Sequence, residues 1–386
     1  MAEVVIIGAA RTPIGGFQGV FSGVSAAELG GFAIAAALES AGTPQERVEE
    51  LLMGCVLPAG QGQAPARQAG FKAGFGPEVP ATTLNKMCGS GMKAVMIAHD
   101  QIALGQTGIM VAGGMESMTG APYLLPAMRG GARIGHGQVI DHMFLDGLED
   151  AYEKGRLMGS FAEDCAEHYQ FTREAQDDYA LGSLTNALSA QADGAFDGEI
   201  AAVIVQTRKG EVTISADEQP ANARPEKIPV LKPAFRKDGT VTAANASSIS
   251  DGAAALVLAS RAAAEAAGAP IRAIVRGHAS HAQAPGWFTT APVPAARKLL
   301  EKLGWTVESV DLWEVNEAFA VVPMAFMHEM GIAREILNVN GGACSLGHPI
   351  GASGARIIVT LLHALENRGL KRGVAAICIG GGEGTA

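Results

Sequence analysis

Ser90-Gly91-Met92-Lys93-Ala94-Val95 returns, type for type, as Ser353-Gly354-Ala355-Arg356-Ile357-Ile358, 263 positions later. Working outward, Val48-Glu49-Glu50-Leu51 is echoed by Val310-Asp311-Leu312-Trp313 at an offset of 262. Each copy of the first pair leads to an apolar strand and a glycine cluster. These are Val111-Ala112-Gly113-Gly114 in one case and Cys378-Ile379-Gly380-Gly381 in the other. Matches in the same order at near-constant offset read as one duplicated half, since a solenoid would show more copies.

Local signals fit that reading. Residues 4–7 form an apolar run typical of a buried strand. Ser25 followed by Glu28 has the spacing of a capping box opening an Ala/Leu-rich helix to about residue 41. Thr43-Pro44-x-Glu46 predicts a further helix, with proline where a missing N–H costs nothing. Residues 51–54 and 109–112 read as strands and residues 91–104 as a buried helix. Strands alternating with helices predict a layered α/β fold with buried parallel strands. Residues 119–249 change texture, with irregular Pro/Gly-rich chain, an amphipathic helix after Thr172 and a Pro-rich stretch over 220–233. They read as a subdomain inserted in the first half.

The 386 residues include 50 glycines, well above average usage, and 48% are apolar against 18% charged. A chain of this size buries enough surface to need no disulfide or metal staple. Its net charge of −10 argues against a nucleic-acid or anionic-membrane partner. Cysteines 55, 88, 165, 344 and 378 are odd in number with no CxxC pair, which predicts reduced thiols in a cytoplasmic compartment. The early strand leaves no room for a signal peptide, and no apolar run approaches the roughly 20 residues of a membrane span.

Chemistry concentrates in three segments. In Asn85-Lys86-Met87-Cys88-Gly89-Ser90-Gly91, Cys88 immediately precedes the predicted helix. A free thiol is only slightly ionised at neutral pH, and a helix N-terminus is expected to favour its thiolate. The small residues around it would let an acyl group approach the backbone. The structural alternative is a cysteine packed as a small hydrophobe. In Gly347-His348-Pro349 the proline restricts the histidine's backbone, and the imidazole is placed to take the Cys88 proton. Asn316, after the apolar residues 312–315, is suited either to anchor a water or oxyanion, or to cap a helix. Cys378 ends a further strand, and the glycines after it offer unhindered N–H groups. Cys55, Cys165 and Cys344 read as packing residues. Cys165-x-x-His168 and His278-x-x-His281 have no third ligand at suitable spacing, so no metal is expected. Gly380-Gly381-Gly382-x-Gly384 has no helix after it and so is not a dinucleotide fingerprint.

Taken together, these segments resemble the thiolase family, and within it the acetyl-CoA acetyltransferases. The resemblance rests on residues 85–94, Val111-Ala112-Gly113-Gly114-Met115-Glu116-Ser117-Met118, Asn245-Ala246-Ser247, Asp251-Gly252-Ala253-Ala254, Asn316-Glu317-Ala318-Phe319, residues 347–354 and residues 378–382. It implies two βαβαβαββ halves in a five-layer α-β-α-β-α sandwich. Residues 1–118 with 250–271 would form the N-terminal half, 119–249 an inserted loop domain, and 272–386 the C-terminal half. It also implies a homodimer or homotetramer that condenses two acetyl-CoA molecules, reversibly, to acetoacetyl-CoA and CoA. The alternative within the family is a 3-ketoacyl-CoA thiolase of fatty-acid degradation acting on longer chains. Coenzyme A thioesters are substrates and no cofactor is implied.

By the same resemblance, Cys88 is the acylated nucleophile, His348 its activator and Cys378 the second acid/base. His348 and a water held by Asn316 would form one oxyanion site, and the N–H groups of Cys88 and Gly380 the other. Ser247 would contact the pantetheine, with Leu148, Met158, Phe235, Ala243, Ala318 and Phe319 lining its tunnel. The family's His-Met-Gly is Leu157-Met158-Gly159 here, and Phe288 stands where methionine is frequent. An arginine usual in the 217–221 stretch is missing, and Arg224 is expected to replace it at the nucleotide. Residues 208–237 carry seven basic and four acidic side chains, which suits phosphates.

Overall fold

The structure, a computed structural model, describes residues 1–386. The first half runs β1 (Val4–Arg11), α1 (Ala26–Ala41), β2 (Glu50–Gly54), α2 (Pro65–Lys72), β3 (Ala81–Leu84), α3 (Ser90–Ala103) and β4 (Ile109–Ser117). Inserted chain carries α4 (Met158–Tyr169), α5 (Arg173–Ala192) and a small hairpin, before β5 (Ser250–Ser260) returns to the first sheet. After a two-residue strand β6 (Ala273–Ile274), the second half runs β7 (Ser280–Ala282), α6 (Pro292–Leu303), β8 (Leu312–Val315), α7 (Val321–Met330), α8 (Ile350–Arg368), β9 (Gly373–Ile379) and β10 (Glu383–Thr385).

The first sheet has the order β6-β1-β5-β4-β2-β3, with Gly15–Gly16 also paired to β5, and the second is β7-β10-β9-β8. Helices α1 and α2 cover the outer face of the first sheet, α3 and α8 lie between the sheets, and α6 and α7 cover the second. That is a five-layer α-β-α-β-α sandwich. Both sheets are mixed rather than parallel: β2 pairs parallel with β3 and β4, and β8 with β9, whereas β5 runs antiparallel to β1 and β4. Strand β6, just past the expected 271/272 boundary, pairs with β1 and so extends the first sheet.

The capping box forms as the sequence predicts. The Ser25 hydroxyl accepts from the Glu28 N–H at 3.2 Å, and the Glu28 carboxylate accepts from the Ser25 N–H at 3.0 Å. Gly42, left-handed at φ 57°, ends α1. The helix expected after Pro44 shrinks to one 3₁₀ turn, Gln45–Arg47, because β2 follows almost at once. An equivalent turn, Val307–Ser309, precedes β8, so the duplication includes this detail.

Between the sheets the two N-terminal helix turns touch through backbone. A Cβ added at Gly91 would lie 2.7 Å from the Ala355 nitrogen, and one at Gly354 2.5 Å from that of Met92. The small residues beside Cys88 and His348 therefore serve close packing of α3 on α8. Room for a substrate is not needed to explain them.

The halves differ in their third strand. β3 pairs along four residues of β2, but the matching position in the second sheet holds a single Trp313–Leu337 bridge. Asn338 (φ 48°) completes the pairing with its side chain, accepting from the Val315 N–H and donating to the Val315 carbonyl, both at 2.8 Å. No helix is long and apolar enough to cross a membrane.

Candidate active site

Cys88 stands at the tip of a tightly wired turn. The Met87 N–H donates to the Asn85 side chain at 2.9 Å, and the Lys86 N–H to the Ser90 hydroxyl at 2.8 Å. The same hydroxyl donates to the Met87 carbonyl at 2.6 Å. Met87 is thereby held at φ 47°, a left-handed conformation costing a non-glycine residue on the order of 1–3 kcal/mol. The strain lifts Cys88 clear of the start of α3, where Gly89 takes the cap position. Cys88 is half-buried, against clusters that include Met92 and Ile377 on one side and Met118 and Ile350 on the other.

The expectation that the helix end lowers the Cys88 pKa is not met. Burial pushes the thiol up to about 11; the N–H groups of Gly380 and of Cys88 itself pull it back, and the Glu116 carboxylate opposes them. Desolvation of the thiolate in this apolar surrounding outweighs one helix turn's partial charge. The resting nucleophile is therefore a neutral thiol in need of a base.

His348 can be that base. It is 6% exposed, and its Nδ1 lies 2.6 Å from the Ser353 hydroxyl, which in turn donates to the Pro349 carbonyl at 3.0 Å. A hydroxyl with its proton committed to a carbonyl must accept from the ring, so the proton is on Nδ1 and Nε2 keeps its lone pair. That Nε2 is buried without a hydrogen-bonding partner. Burial, with the Arg356 charge adding, pulls the imidazole down to about 3, so it is neutral at physiological pH. The turn is anchored by the His348 N–H, which donates to the Ser248 carbonyl at 3.2 Å and the Ser250 hydroxyl at 3.3 Å.

Cys378 closes β9 and is fully buried. Its thiol is pushed well above the ordinary value by burial first and then by the charge Cys88 would carry. A Cβ on Gly89 would collide with Ile379 at 2.5 Å, so the Cys88 turn sits directly on the end of β9. Asn316 extends the β8–β9 ladder, its N–H donating to the Ala376 carbonyl at 3.0 Å. Because α7 starts only at Val321, capped by Ala320, Asn316 is not a helix cap. Its side-chain Oδ1 and Nδ2 are both buried without partners, leaving the amide available for a substrate or water.

Of the residues expected around coenzyme A, Leu148 packs in the cluster that holds Cys88. Met158 and Phe235 adjoin Ala318, Phe319 and Cys378 in another. A Cβ on Gly380 would be 3.7 Å from the Met158 sulfur. The Ser247 hydroxyl donates to the Ala318 carbonyl at 2.9 Å, keeping its lone pairs for an amide donor. Ala243 and Arg224 are exposed, and nothing in the contacts at the thiols involves them. Arg236, in the basic stretch, is paired with Asp164 at 2.5 Å and Glu167 at 3.1 Å. Cys55 and Cys165 are buried and Cys344 half-buried, all five thiols being free.

Two buried carboxylates carry support roles that the motifs contained without explaining. Glu317 accepts from Tyr179 (2.9 Å), Asn338 (2.8 Å), Ser183 (2.7 Å) and the Cys344 N–H (3.0 Å), fixing the residue next to Asn316. Glu116 accepts from the N–H groups of Val56 (2.9 Å), Leu57 (3.1 Å) and Gly351 (2.9 Å), tying the loop after β2 to the start of α8. Burial raises the Glu116 carboxyl to about 7. Their signal in the sequence was an acidic residue inside an otherwise apolar or small-residue motif.

Comparison with known proteins shows the family. Residues 4–262 match the thiolase N-terminal domain and residues 269–386 the thiolase C-terminal domain. An acetyl-CoA acetyltransferase of Cupriavidus necator is 49% identical, covering 100% of this chain and 98% of the relative. Acetyl-CoA acetyltransferase 2 of Arabidopsis thaliana is 50% identical, with 100% and 96% covered. The crystal structure of the Bacillus anthracis acetyl-CoA acetyltransferase superposes with a TM-score of 0.97 at 43% identity, covering 100% of this chain and 98% of that one. Two thiols, an imidazole and an amide on a duplicated scaffold, together with full-length similarity, place this chain in the thiolase family.

Proposed function

We propose that the protein is an acetyl-CoA C-acetyltransferase, joining two acetyl-CoA molecules into acetoacetyl-CoA and CoA, reversibly, through an acyl-cysteine. The observation that carries this is a second thiol, buried Cys378, on the strand end against which the turn of half-buried Cys88 packs, in a site whose His348 is neutral and whose Asn316 amide is unpartnered. An acyl-thiol hydrolase needs one thiol. A Claisen condensation needs two, because the first is occupied as thioester when the second proton must move.

In the first half-reaction the Cys88 sulfur bonds the acetyl carbonyl carbon as its proton passes to His348 Nε2. The C–S bond to CoA then breaks, and CoA leaves as the thiol with the proton of Cys378, which is left as thiolate while His348 keeps the Cys88 proton. In the second, Cys378 as thiolate takes a proton from the methyl group of another acetyl-CoA. The resulting carbanion attacks the acyl carbon, and the Cys88 sulfur departs, recovering its proton from His348. Two oxyanions arise, one on each thioester. The N–H groups of Cys88 and Gly380 suit the acyl-enzyme oxygen, and His348 with an Asn316-held water suits the enolate. Ser247, Leu148, Met158, Phe235, Ala318 and Phe319 would hold the pantetheine, with Ala243 at its outer end and Arg224 toward the nucleotide.

Short acyl groups are favoured by the aromatic wall. Phe288 is buried edge-on to Phe161 and Phe319, at 6.4 and 6.5 Å between ring centres, and Phe319 meets Phe235 at 5.9 Å. Exposed Tyr123, Leu125, Met128, Ile134 and Val139 in the insert supply apolar area suited to subunit contacts in a homodimer or homotetramer. Thiolysis of acetoacetyl-CoA and 3-ketooctanoyl-CoA tests the substrate. The expected result is a higher kcat/KM for the shorter one, and a strong preference for the longer would establish the fatty-acid-degrading alternative instead.

A further inference from the structure

We propose that His99, Asp100 and His278 form a binding site for one divalent transition-metal ion of the zinc type, clipping the far end of α3 to the crossover between the sheets. Sequence spacing gave His278 only His281 as a companion. Folding instead supplies ligands from a helix 178 positions away, which spacing rules cannot see.

The geometry is close to that of a ligated ion. One Asp100 oxygen, Oδ1, stands 3.1 Å from His99 Nδ1 and 2.8 Å from His278 Nε2. The three ligand atoms all lie within 4.8 Å of one another, and the two rings meet at 88° with centres 5.2 Å apart. Zinc–nitrogen and zinc–oxygen bonds of roughly 2.0–2.2 Å in a tetrahedron hold ligand atoms about 3.3 Å apart. An ion therefore replaces the two bridging protons with little movement. Two imidazoles and a carboxylate favour zinc, cobalt or nickel over magnesium or calcium.

Lys302 lies near enough to His278 to oppose a cation, which tempers affinity. His278 lines a cavity of about 650 Å³ and Asp100 is 54% exposed in its side chain, so water can complete the coordination.

The consequence is mechanical. His99 and Asp100 end the helix that begins beside Cys88, and His278 lies between β6 and β7, the edges of the two sheets. A bound ion would join the two halves at the end of α3 away from the thiols, and would stabilise the folded state by binding it alone.

The test titrates untagged protein with Co²⁺ while recording visible absorption, with Zn²⁺ as competitor, and follows the melting temperature. Expected are one equivalent of Co²⁺ with nitrogen/oxygen-type bands, a higher melting temperature, and affinity lowered about tenfold or more in both His99→Ala and His278→Ala. Asp100→Asn, which keeps a polar group on α3, should also weaken binding, and all three variants should keep metal-free acetyl transfer. The proposal fails if no ion binds below about 1 mM, if binding survives in the histidine variants, or if a sulfur-to-cobalt charge-transfer band places the ion on a cysteine.

Discussion

The N-terminal turns of α3 and α8 occupy equivalent places in the two halves and pack backbone to backbone, yet one carries a thiol and the other an imidazole. The Cys88 turn is strained at Met87 and leaves its sulfur half-buried, where a substrate can reach it. The His348 turn is relaxed around Ser353 and buries its ring. Duplication produced one scaffold twice; divergence turned one copy into a nucleophile holder and the other into a base holder. Neither works alone, because the thiol is pushed up to about 11 and the imidazole down to about 3. Their resting state is two neutral groups, not a thiolate–imidazolium pair.

The largest expected effect lies on the thiol side. Cys88→Ser should cut turnover by roughly 10³-fold or more and abolish acetyl-enzyme labelling. Cys378→Ser should still label but fail to exchange the α-protons of acetyl-CoA, losing about 10²–10⁴ in condensation. Normal labelling of Cys88→Ser would dismantle the assignment of nucleophile.

At neutral pH Cys88 should carry roughly two orders of magnitude less thiolate than a free cysteine. Its alkylation by iodoacetamide should then keep rising toward pH 11, and a plateau near 8.5 would mean the helix end prevails after all. On the imidazole side, unfolding puts His348 back near its ordinary pKa, so the unfolded chain binds the extra proton between about pH 6.5 and 3. Stability from this group is thus complete above pH 6.5 and is lost as pH falls through that window. His348→Asn should flatten this part of the stability curve in denaturant titrations.

Smaller effects test the supports. Ser353→Ala frees the His348 ring to change tautomer and should lower kcat about tenfold with KM unchanged, whereas Ser353→Thr should restore it. A matching rise in KM would make Ser353 a binding residue instead. Gly91→Ala forces α3 from α8 and should destabilise the fold by about 1–3 kcal/mol, read from its urea midpoint.

Much of this was legible because it is local or repeated. The capping box at Ser25, the helix after Thr172 and the 262–263-residue echo depend on spacing along the chain, and all three appear as structure. The short turn after Pro44, the mixed strand directions and the bridge replacing a strand near Asn338 were not legible. Each depends on which neighbour the chain meets after folding.

The sequence by itself determined the doubled α/β plan and the residue types of the site, since motif order and thiol, imidazole and amide chemistry are written in it. Only the tertiary structure decided how those groups are charged, which atoms are left unpartnered, and that His278 faces α3. Burial, desolvation and contacts between remote segments set those properties, and none of them has a period along the chain.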